Sequence, residues 1–408
     1  MADNNENKVL NVPPLRFPEF SGEWKCTTIG NIGDIKNGPF GSVLHAEDYV
    51  ENGIPIVTTE HFKTGLMPSD KFGIPQVSNE DYIRLKGYRL ETNDIVFSRV
   101  GSVDINAHVG IEQNGWLFSG RVLRVRPKYD IDSLFLHYAL STEAVKRDIR
   151  NRAVGQTMPS INTPILSSTT IQLPKDLFEQ KKVAHFLRLL DERIITQNKI
   201  IEDLKKLKSA ISKQAFAQKP NGWNRLDTLF SKGKAGGTPT STNKEYYNGE
   251  IPFLSINDIT KQGKYVRYTE NHLSRSGLEN SSAWVVPEYS LIISMYASVG
   301  LVTINEVPIT TSQAMFAMQL RDKDLLDYLY YYLSYFKYRH IHKYLETGTQ
   351  SNINADIVRG IMIPTYGHSR NMKIASTLQG IDAKIDNELS VLKLFNRQKN
   401  YLLSQMFI

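Results

Sequence analysis

Two clusters of cationic side chains are the clearest candidates for chemistry in this chain of 408 residues. The first is Lys146, Arg147, Arg150 and Arg152, and the second is Lys337, Arg339, His342 and Lys343. Arginine and lysine grouped near a helix end are suited to phosphate contacts. The alternative is a basic helix face that is merely solvated.

Polar loops follow both clusters, AVGQTMPSIN at 153–162 and ETGTQSNIN at 346–354. Their amides and hydroxyls can read hydrogen-bonding edges of a bound molecule. The candidates are Gln156, Thr157 and Ser160 in the first loop, and Thr349, Gln350, Ser351 and Asn352 in the second. Asn162 and Asn354 occupy matching places, so we expect a shared structural role for them instead.

Three further loop pairs match by position: NGPFGS (37–42) with GKAGGTP (233–239), SRVGSVD (98–104) with MYASVGL (295–301), and TTEHF (58–62) with SINDI (255–259). We interpret all of them as exposed loops that face a ligand. Their candidate residues are Asn37, Ser42, Lys234, Thr238, Arg99, Ser102, Tyr296, Ser298, Thr59, His61 and Asn257.

The sequence contains no recognisable catalytic or metal-binding constellation. There is no Asn-Pro-Pro-aromatic quartet, no phosphate loop ending in Gly-Lys-Ser/Thr and no glycine-rich cofactor loop after a strand. His340 and His342 are two residues apart, so they project from different helix faces and make a poor metal pair. The single cysteine, Cys26, cannot form an internal disulfide. We therefore predict a protein that is not an enzyme and binds no metal.

The bulk composition is typical of a globular protein and moderately basic. Lys and Arg number 49 against 42 Asp and Glu, which gives a net charge of +7. This excess permits a polyanionic partner without requiring one. No apolar run approaches the length of a membrane span, and the polar start MADNNENKVLNVPP has no signal-peptide core. We expect a cytoplasmic protein.

The sequence contains an internal duplication. KQAFA at 213–217 matches SQMFI at 404–408, GIPIVTTEHF (53–62) matches EIPFLSINDI (250–259), and PSINTPIL (159–166) matches SNINADIV (351–358). Further pairs keep the same order with an offset of roughly 190 to 200 residues. The shared parts are expected to be scaffold, and the parts that differ are expected to have different functions.

Each copy predicts an α+β domain followed by one long helix. Short β-type runs broken by Gly, Pro, Asn and Asp precede a helix at 131–151 in copy one and at 324–345 in copy two. Tyr328, Tyr330, Tyr331 and Tyr332 fall within the second of these helices, where a core role is favoured over base stacking. The predicted boundaries are a flexible tail 1–17, domains 18–174 and 219–368, and long helices 175–218 and 369–408.

Both long helices carry a heptad seam. Its positions are Val183, Leu187, Leu190, Ile194, Gln197, Ile201, Leu204, Lys208, Ile211 and Ala215 in the first, and Ile374, Leu378, Ile381, Ile385, Glu388, Leu392, Phe395, Lys399, Leu402 and Met406 in the second. Eight of ten are apolar in each, which predicts an antiparallel coiled coil with pseudo-twofold symmetry. The alternative is a surface helix packed on its own domain.

The polar seam residues suggest a register. One alignment sets Lys208 against Glu388 and Gln197 against Lys399, so that no lysine is left alone in an apolar seam. The first seam spans 32 residues, or about 48 Å, which is comparable to one turn or slightly more of B-DNA.

This architecture, with the opening NVPPLRFPEFSGEW, resembles the DNA-specificity subunit of a Type I restriction-modification system over essentially the whole chain. The resemblance implies two target recognition domains that each read half of a split site in double-stranded DNA. It implies a coiled coil that spaces them and docks two methyltransferase subunits, which carry S-adenosylmethionine, with restriction subunits joining later. The polar and cationic residues above then become candidate DNA contacts.

Three alternatives remain open from the sequence. A self-sufficient DNA enzyme is disfavoured by the missing motifs. A regulatory or architectural DNA-binding protein would have no methyltransferase partner. A scaffold that does not bind DNA would show no salt-dependent affinity for duplex.

Overall fold

The computed structural model of the chain describes residues 11–39, 46–344 and 352–408. The chain divides into two compact units. Unit 1 comprises Met1–Asn198 and Val391–Ile408, and unit 2 comprises Lys199–Ser390. Each unit therefore contains part of both long helices. Among the described residues, none of the helices has the length and apolar character needed to cross a bilayer.

The described residues of unit 1 form ten strands. In chain order they are β1 Lys25–Thr28, β2 Gly33–Asn37, β3 Tyr49–Val50, β4 Ile54–Val57, β5 Gln76–Val77, β6 Ile95–Ser98, β7 Asn106–His108, β8 Leu117–Phe118, β9 Val122–Pro127 and β10 Thr170–Leu173. They form a four-stranded sheet of order β2-β9-β6-β7, a second of order β3-β5-β4-β8, and a β1-β10 pair. The β4-β8 pairing is parallel and the others are antiparallel.

The helices of unit 1 flank these sheets. They are α1 Ile29–Ile32, α2 Asn79–Arg84, α3 Ser133–Leu140, α4 Glu143–Arg152, α5 Thr163–Ser167 and the start of the long helix α6 Leu177–Phe216. The helix predicted at 131–151 is confirmed in position but interrupted. The hydroxyls of Ser141 and Thr142 donate to the carbonyls of His137 and Ala139 at 2.8 Å, which satisfies the end of α3 before α4 begins.

Unit 2 repeats this plan with changes. Its strands are β11 Gly222–Arg225, β12 Phe230–Ala235, β13 Tyr247–Leu254, β14 Tyr265–Val266, β15 Asn271–Leu273, β16 Leu291–Ser294, β17 Val302–Asn305, β18 Thr310–Thr311, β19 Met315–Leu320 and β20 Met362–Thr365. They form a five-stranded sheet of order β12-β19-β16-β17-β14, a three-stranded sheet β15-β13-β18 and a β11-β20 pair. The β13-β18 and β14-β17 pairings are parallel.

The helices of unit 2 include α10, which carries the tyrosine cluster. They are α7 Leu226–Leu229, α8 Ile256–Gln262, α9 Arg275–Glu279, α10 Leu326–Arg339, α11 Ala355–Gly360 and α12 His368–Gln405, of which the last part lies in unit 1. Three of the four tyrosines, Tyr328, Tyr331 and Tyr332, are 5% exposed or less. The predicted core role is confirmed for these three.

The seam residues of both long helices are buried or half-buried throughout, and most residues between them are exposed. In unit 1, Leu187, Leu190, Leu402 and Met406 belong to one apolar core. In unit 2, Ile211, Ile374 and Leu378 belong to another. The covered face of each helix is therefore the one that the heptad spacing predicts, because a helix packed on one side at 3.5-residue spacing buries these positions.

Each unit ties its part of the helix pair to its own domain through a Tyr-Asp-Lys cluster. In unit 1, the hydroxyl of Tyr138 donates to Asp191 Oδ2 at 2.8 Å, and Lys399 Nζ donates to Asp191 Oδ1 at 2.5 Å. Burial, and then the charge of Asp191, raise the pKa of Tyr138. The phenol therefore remains a donor to the carboxylate.

Unit 2 has the matching cluster. Tyr331 donates to Asp382 Oδ2 at 2.8 Å, and Lys208 Nζ lies 2.5 Å from Asp382 Oδ1. The predicted register is wrong at both lysines: Lys208 pairs with Asp382 and Lys399 with Asp191, each in its own unit. Asp191 and Asp382 lie outside the seam positions, so a pairing of seam residues alone could not find them. The two buried polar seam residues, Gln197 and Glu388, are only 6% and 8% exposed.

The segment from Asn11 to Trp24 packs on unit 1, although residues up to 17 were expected to form a flexible tail. The Leu15 amide donates to the Gln405 carbonyl at 2.8 Å. Arg16 donates to both carboxylate oxygens of Glu179 at 2.8 Å. Phe17 lies edge-on to Phe186 with ring centroids 6.0 Å apart.

Asn162 and Asn354 share a structural role, as predicted. The Asn162 side chain accepts from the Ile165 amide at 3.0 Å and begins α5. Asn354 accepts from the Asp356 and Ile357 amides at 3.0 and 2.9 Å and begins α11. Both are N-caps, which is why the same residue type occurs in two loops that otherwise differ.

Buried His137 should make the stability of unit 1 depend on pH. Its ring lies 2.6 Å from Asn106 Oδ1, and burial lowers the pKa of His137 to about 3. The unfolded chain binds this proton near pH 6.5, so the stabilising contribution is complete above that value and is lost as the pH falls toward 3. Thermal melts between pH 8 and 4 should show His137→Gln losing less stability on acidification than the wild type. Parallel curves would contradict this prediction.

Candidate nucleic-acid interface

Loops of unit 1 converge around Arg99, at the end of β6. The Arg99 amide donates to the Arg121 carbonyl at 3.0 Å, and its guanidinium donates to the Gly120 carbonyl at 3.0 Å. The Ile161 amide donates back to the Arg99 carbonyl at 2.9 Å. The loop after β6, the turn before β9 and the polar loop before α5 are thus held together by backbone hydrogen bonds.

Two more segments join this cluster. The Gly38 amide donates to the Val122 carbonyl at 3.1 Å, and a Cβ on Gly38 would lie 1.9 Å from the Ser119 carbonyl oxygen. A glycine is therefore required where the chain leaves β2 after Asn37. The Ser119 amide donates to the Val57 carbonyl at 2.9 Å, which places the end of β4 beside the same turn.

We name the predicted residues on these hydrogen-bonded segments, or beside them in the chain, the unit 1 loop cluster: Asn37, Thr59, His61, Arg99, Ser102, Gln156, Thr157 and Ser160. The expectation of loops is wrong at Asn37, which ends β2, and at Thr59 and His61, which lie in a 3-10 turn over Thr59–Phe62. Ser102, Gln156 and Thr157 are exposed. Val154 and Ser160 exchange backbone hydrogen bonds of 2.9 and 2.8 Å, which closes the loop that presents Gln156 and Thr157. The imidazole of His61 instead accepts from the Thr58 amide at 3.0 Å, and burial lowers the pKa of His61.

Arg121 was missed by sequence reasoning. It is exposed and lies in the turn whose carbonyl receives the Arg99 amide. The sequence does contain a signal for it. The segment SGR at 119–121 matches SQA at 312–314, and only the first copy has a cation at the third position.

The cations of α4 have different surroundings. Arg147 is exposed and available to a phosphate. Arg150 forms ion pairs with Asp104 and Glu143. Arg152 contacts Asp148 and Thr169 and donates to the Ile165 carbonyl at 3.1 Å. Arg152 is therefore engaged in holding α4 to α5, and Arg150 ties α4 to the loop after β6, so neither is a free phosphate ligand in this arrangement.

Unit 2 assembles the equivalent loops around Met295. The Met295 amide donates to the Ala314 carbonyl at 2.7 Å, and the Ile353 amide donates to the Met295 carbonyl at 3.0 Å. These bonds match those of Arg99 with Arg121 and Ile161. The structural counterpart of the charged Arg99 is therefore Met295, which is only 3% exposed.

We name the predicted residues Lys234, Thr238, Tyr296, Ser298 and Asn352 the unit 2 loop cluster. The expectation of a loop is wrong at Lys234, which lies in β12. Lys234 Nζ lies 3.4 Å from the Ser282 carbonyl, and Thr238 contacts the Gln313 side chain. Tyr296 is exposed, while Ala297 and Ser298 have φ of 41° and 52°. Non-glycine residues in this region are uncommon and cluster at functional loops, which favours a binding role for this turn.

Three other predicted cationic or polar residues of unit 2 lie in helices, so the loop expected at Asn257 is wrong. Arg339 and Lys343 are exposed at and beyond the end of α10. Asn257 lies on α8 and donates to Glu270 at 3.0 Å. Ser42, Thr349, Gln350 and Ser351 lie outside the described residues.

The comparisons with known proteins identify the family of the chain and agree with its duplication. The Type I restriction modification DNA specificity domain family matches residues 21–206 and 220–393. The chain named as the MjaX specificity subunit of a type I restriction enzyme, from Methanocaldococcus jannaschii, is 28% identical over 93% of this chain and 91% of its own length. The MjaVIII specificity subunit of the same organism is 28% identical over 63% of this chain and 53% of its own.

A solved structure supports the fold. The S subunit of a type I restriction-modification system from M. genitalium has a TM-score of 0.61, with 97% of this chain and 99% of that chain covered at 16% identity. The fold defines a duplicated α+β protein whose two units carry different polar side chains at matching loops. The chain belongs to the Type I restriction modification DNA specificity domain family and carries two copies of that domain. It is a specificity subunit, the non-catalytic DNA-recognition component of such systems.

Proposed function

We propose that each unit reads one half of a split, asymmetric site in double-stranded DNA through its loop cluster. The observation that supports this most directly is the substitution of Met295 for Arg99 within the same backbone arrangement. A shared backbone frame that carries a guanidinium in unit 1 and a buried thioether in unit 2 gives the two units different contacts, as two readers of different half-sites require. The exposed cations Arg147, Arg339 and Lys343 would supply the phosphate contacts that position each unit.

The two long helices are proposed to set the half-site spacing and to dock methyltransferase subunits, which would carry S-adenosylmethionine, with restriction subunits joining to complete the nuclease. The Tyr-Asp-Lys clusters support the spacing role, because they fix the long helices to the domain in each unit. A stand-alone regulatory DNA-binding protein is the alternative function. Affinity purification of the tagged chain from its host should recover two methyltransferase chains per copy, and the alternative predicts none.

Methylome sequencing of the host tests the central proposal. It should show a bipartite adenine-methylated motif with a fixed spacer, and loss of this motif when the chain is deleted. An unchanged methylome after deletion would contradict the proposal. The motif also supplies the duplex that the next prediction needs.

Replacing Arg99 and Arg121 by alanine together should weaken binding of the cognate duplex by about thirtyfold or more, because guanidinium contacts each contribute about 1–3 kcal/mol and two are removed. Fluorescence anisotropy of labelled duplex, titrated with the complex of the chain and its methyltransferase subunits, measures the dissociation constant. Mutations of one half-site should lose their effect in this variant, whereas mutations of the other should keep it.

Lys128→Ala is the matched control. Lys128 follows β9 at the end opposite the turn that contains Arg121. Its removal takes away a cation of unit 1 without touching the loop cluster, so binding should change by less than about twofold. Equal losses in both variants would mean that net charge, and not the loop cluster, accounts for the affinity.

A further inference from the structure

Unit 2 contains an open groove of 690 Å³ whose equivalent in unit 1 is covered. The groove is lined by Ile211 and Ala215 from α6 and by Arg370, Lys373, Ile374 and Thr377 from α12. All of these residues belong to unit 2. The offset of 191 residues between the copies maps the lining onto the start of α6 and the end of α12 in unit 1.

The equivalent surface in unit 1 is occupied by the segment from Asn11 to Trp24. This segment reaches from Gln405, whose carbonyl accepts from the Leu15 amide, to Phe178 and Phe186, which pack against Phe20 and Phe17. Copy two has no second version of this segment, because only five residues (217–221) separate α6 from β11. Among the residues that the structure describes, the chain therefore fills one groove and leaves the other open.

The side chains that line the two grooves differ in solvent exposure. Val183, Leu402 and Met406 are 7% exposed or less in unit 1. Their counterparts Ile374, Ile211 and Ala215 are only half-buried in unit 2. Alanine in place of methionine also makes room at the bottom of the groove. An apolar surface that is covered in one copy and uncovered in the other marks a place for a segment of another chain.

The charges in the two grooves indicate which residue type the partner segment should carry. In unit 1, Glu179 receives two hydrogen bonds from Arg16. The residue at the equivalent position in unit 2 is Arg370, which is held by contacts with Gln218 and the Tyr366 ring. A second copy of this chain would bring Arg16 against Arg370, which is unfavourable. The groove instead complements a carboxylate at that place.

An aromatic residue should follow the carboxylate. In unit 1, Lys182 Nζ lies 4.7 Å from the centre of the Phe17 ring, directly after Arg16. Lys373 occupies the equivalent position in the unit 2 groove, so the cation that attracts an aromatic face is retained. We propose that this groove docks an extended segment of a partner protein with the pattern apolar–acidic–aromatic, in place of the Leu15–Arg16–Phe17 pattern that unit 1 supplies for itself.

The inference rests on the proposed function only in requiring a protein partner. The test uses the full chain and two fluorescein-labelled peptides. One has the sequence of residues 11–24, and the other has the same sequence with the change Arg16→Glu. The wild-type chain should bind the acidic peptide at least about tenfold more tightly, because a charge-assisted bidentate pair replaces a like-charge contact. The variant Arg370→Glu should reverse this preference.

Two further variants sharpen the test. Thr377→Phe restores the counterpart of Phe186 and should tighten binding of the acidic peptide about threefold, since it adds an edge-to-face ring pair with the peptide's phenylalanine. Arg397→Glu, an exposed charge reversal elsewhere on α12, should leave both affinities unchanged. Arg370 and Thr377 are exposed, so these variants are expected to fold.

Location is established by a photo-crosslinking residue in place of Phe17 of the acidic peptide. Crosslinks should map to 366–377 and not to 178–186. The proposal is overturned if neither peptide binds, if the two bind equally, or if the unmodified peptide binds more tightly, the last of which would indicate a second copy of this chain. Binding of the Arg370→Glu variant to cognate duplex should stay unchanged, which separates this inference from the proposal about DNA reading.

Discussion

Replacing Trp24 by alanine is expected to lower the free energy of unfolding of unit 1 by about 3–5 kcal/mol, the range for deleting a large buried aromatic side chain. Trp24 is 3% exposed. Its ring lies 5.7 Å from that of Phe135 and 6.1 Å from that of Phe407. Its indole nitrogen donates to Glu179 at 3.2 Å, so the substitution also removes a donor from a buried carboxylate.

Hydrogen–deuterium exchange of the peptides from α3 measures this loss within unit 1, independently of unit 2. The amides of Ser133–Leu140 should exchange faster by two orders of magnitude or more, given about 1.4 kcal/mol for each factor of ten. The peptide that ends at Phe407 should lose protection in parallel, because its ring is a direct neighbour.

Trp223 is the matched control. It stands at the start of copy two as Trp24 does in copy one, but it is 54% exposed. Trp223→Ala should therefore cost less than about 1 kcal/mol in unit 2. Losses of similar size from the two substitutions would show that the Asn11–Trp24 segment does not stabilise unit 1 in the way described.

The helix seams could be predicted because they depend only on periodicity. Every seam position from Val183 to Ala215 and from Ile374 to Met406 is buried or half-buried. A repeat of apolar residues at 3.5-residue spacing fixes which face of a helix is covered, whatever the partner. The N-caps Asn162 and Asn354 were predictable for the same reason, since they are local features shared by both copies.

The partners of the polar seam residues could not be predicted in this way. Lysine is long enough to reach a carboxylate beside the seam, and the structure places Asp191 and Asp382 there. Each aspartate also accepts a hydrogen bond from a tyrosine of its domain, which lies about 50 residues earlier in the chain. Helix periodicity contains no information on contacts with a domain, so the seam alone favoured Glu388 and Gln197.

The candidate site was predicted at the level of loops more than at the level of residues. Arg99, Ser102 and Ser160 lie in loops, as the matched segments indicated, whereas Asn37 is the last residue of β2. The roles of Arg150 and Arg152 were not predictable, because their acidic and carbonyl partners are brought close only by the packing of α4. Arg121 was missed because its turn is adjacent to Arg99 in space and not in sequence.

The Tyr-Asp-Lys clusters provide the second large effect. Asp191→Ala should destabilise unit 1 by about 2–4 kcal/mol, because it leaves the buried Tyr138 hydroxyl without its acceptor and Lys399 without its counter-charge. Asp191→Asn keeps an acceptor for the hydroxyl and should cost about half as much. Urea unfolding followed by exchange of the α3 peptides gives both values.

A double-mutant cycle separates the phenol from the lysine. Tyr138→Phe removes the donor, so Asp191→Ala should cost about 1 kcal/mol less in that background. Lys399→Met removes the cation and keeps the apolar stem, and it should reduce the cost of Asp191→Ala in a similar way. Strict additivity in both backgrounds would mean that the three side chains do not act together.

Unit 2 offers a comparison in which the same cluster is reinforced. Lys264 Nζ lies 3.1 Å from the Tyr331 hydroxyl and 2.6 Å from Asp327. The Asp382 side chain is also more exposed than that of Asp191, at 22% against 11%. Asp382→Ala should therefore cost less than Asp191→Ala, because Tyr331 keeps one polar partner and water reaches the site more easily. A larger loss in unit 2 would contradict this order and would place the main connection between domain and helix in copy two.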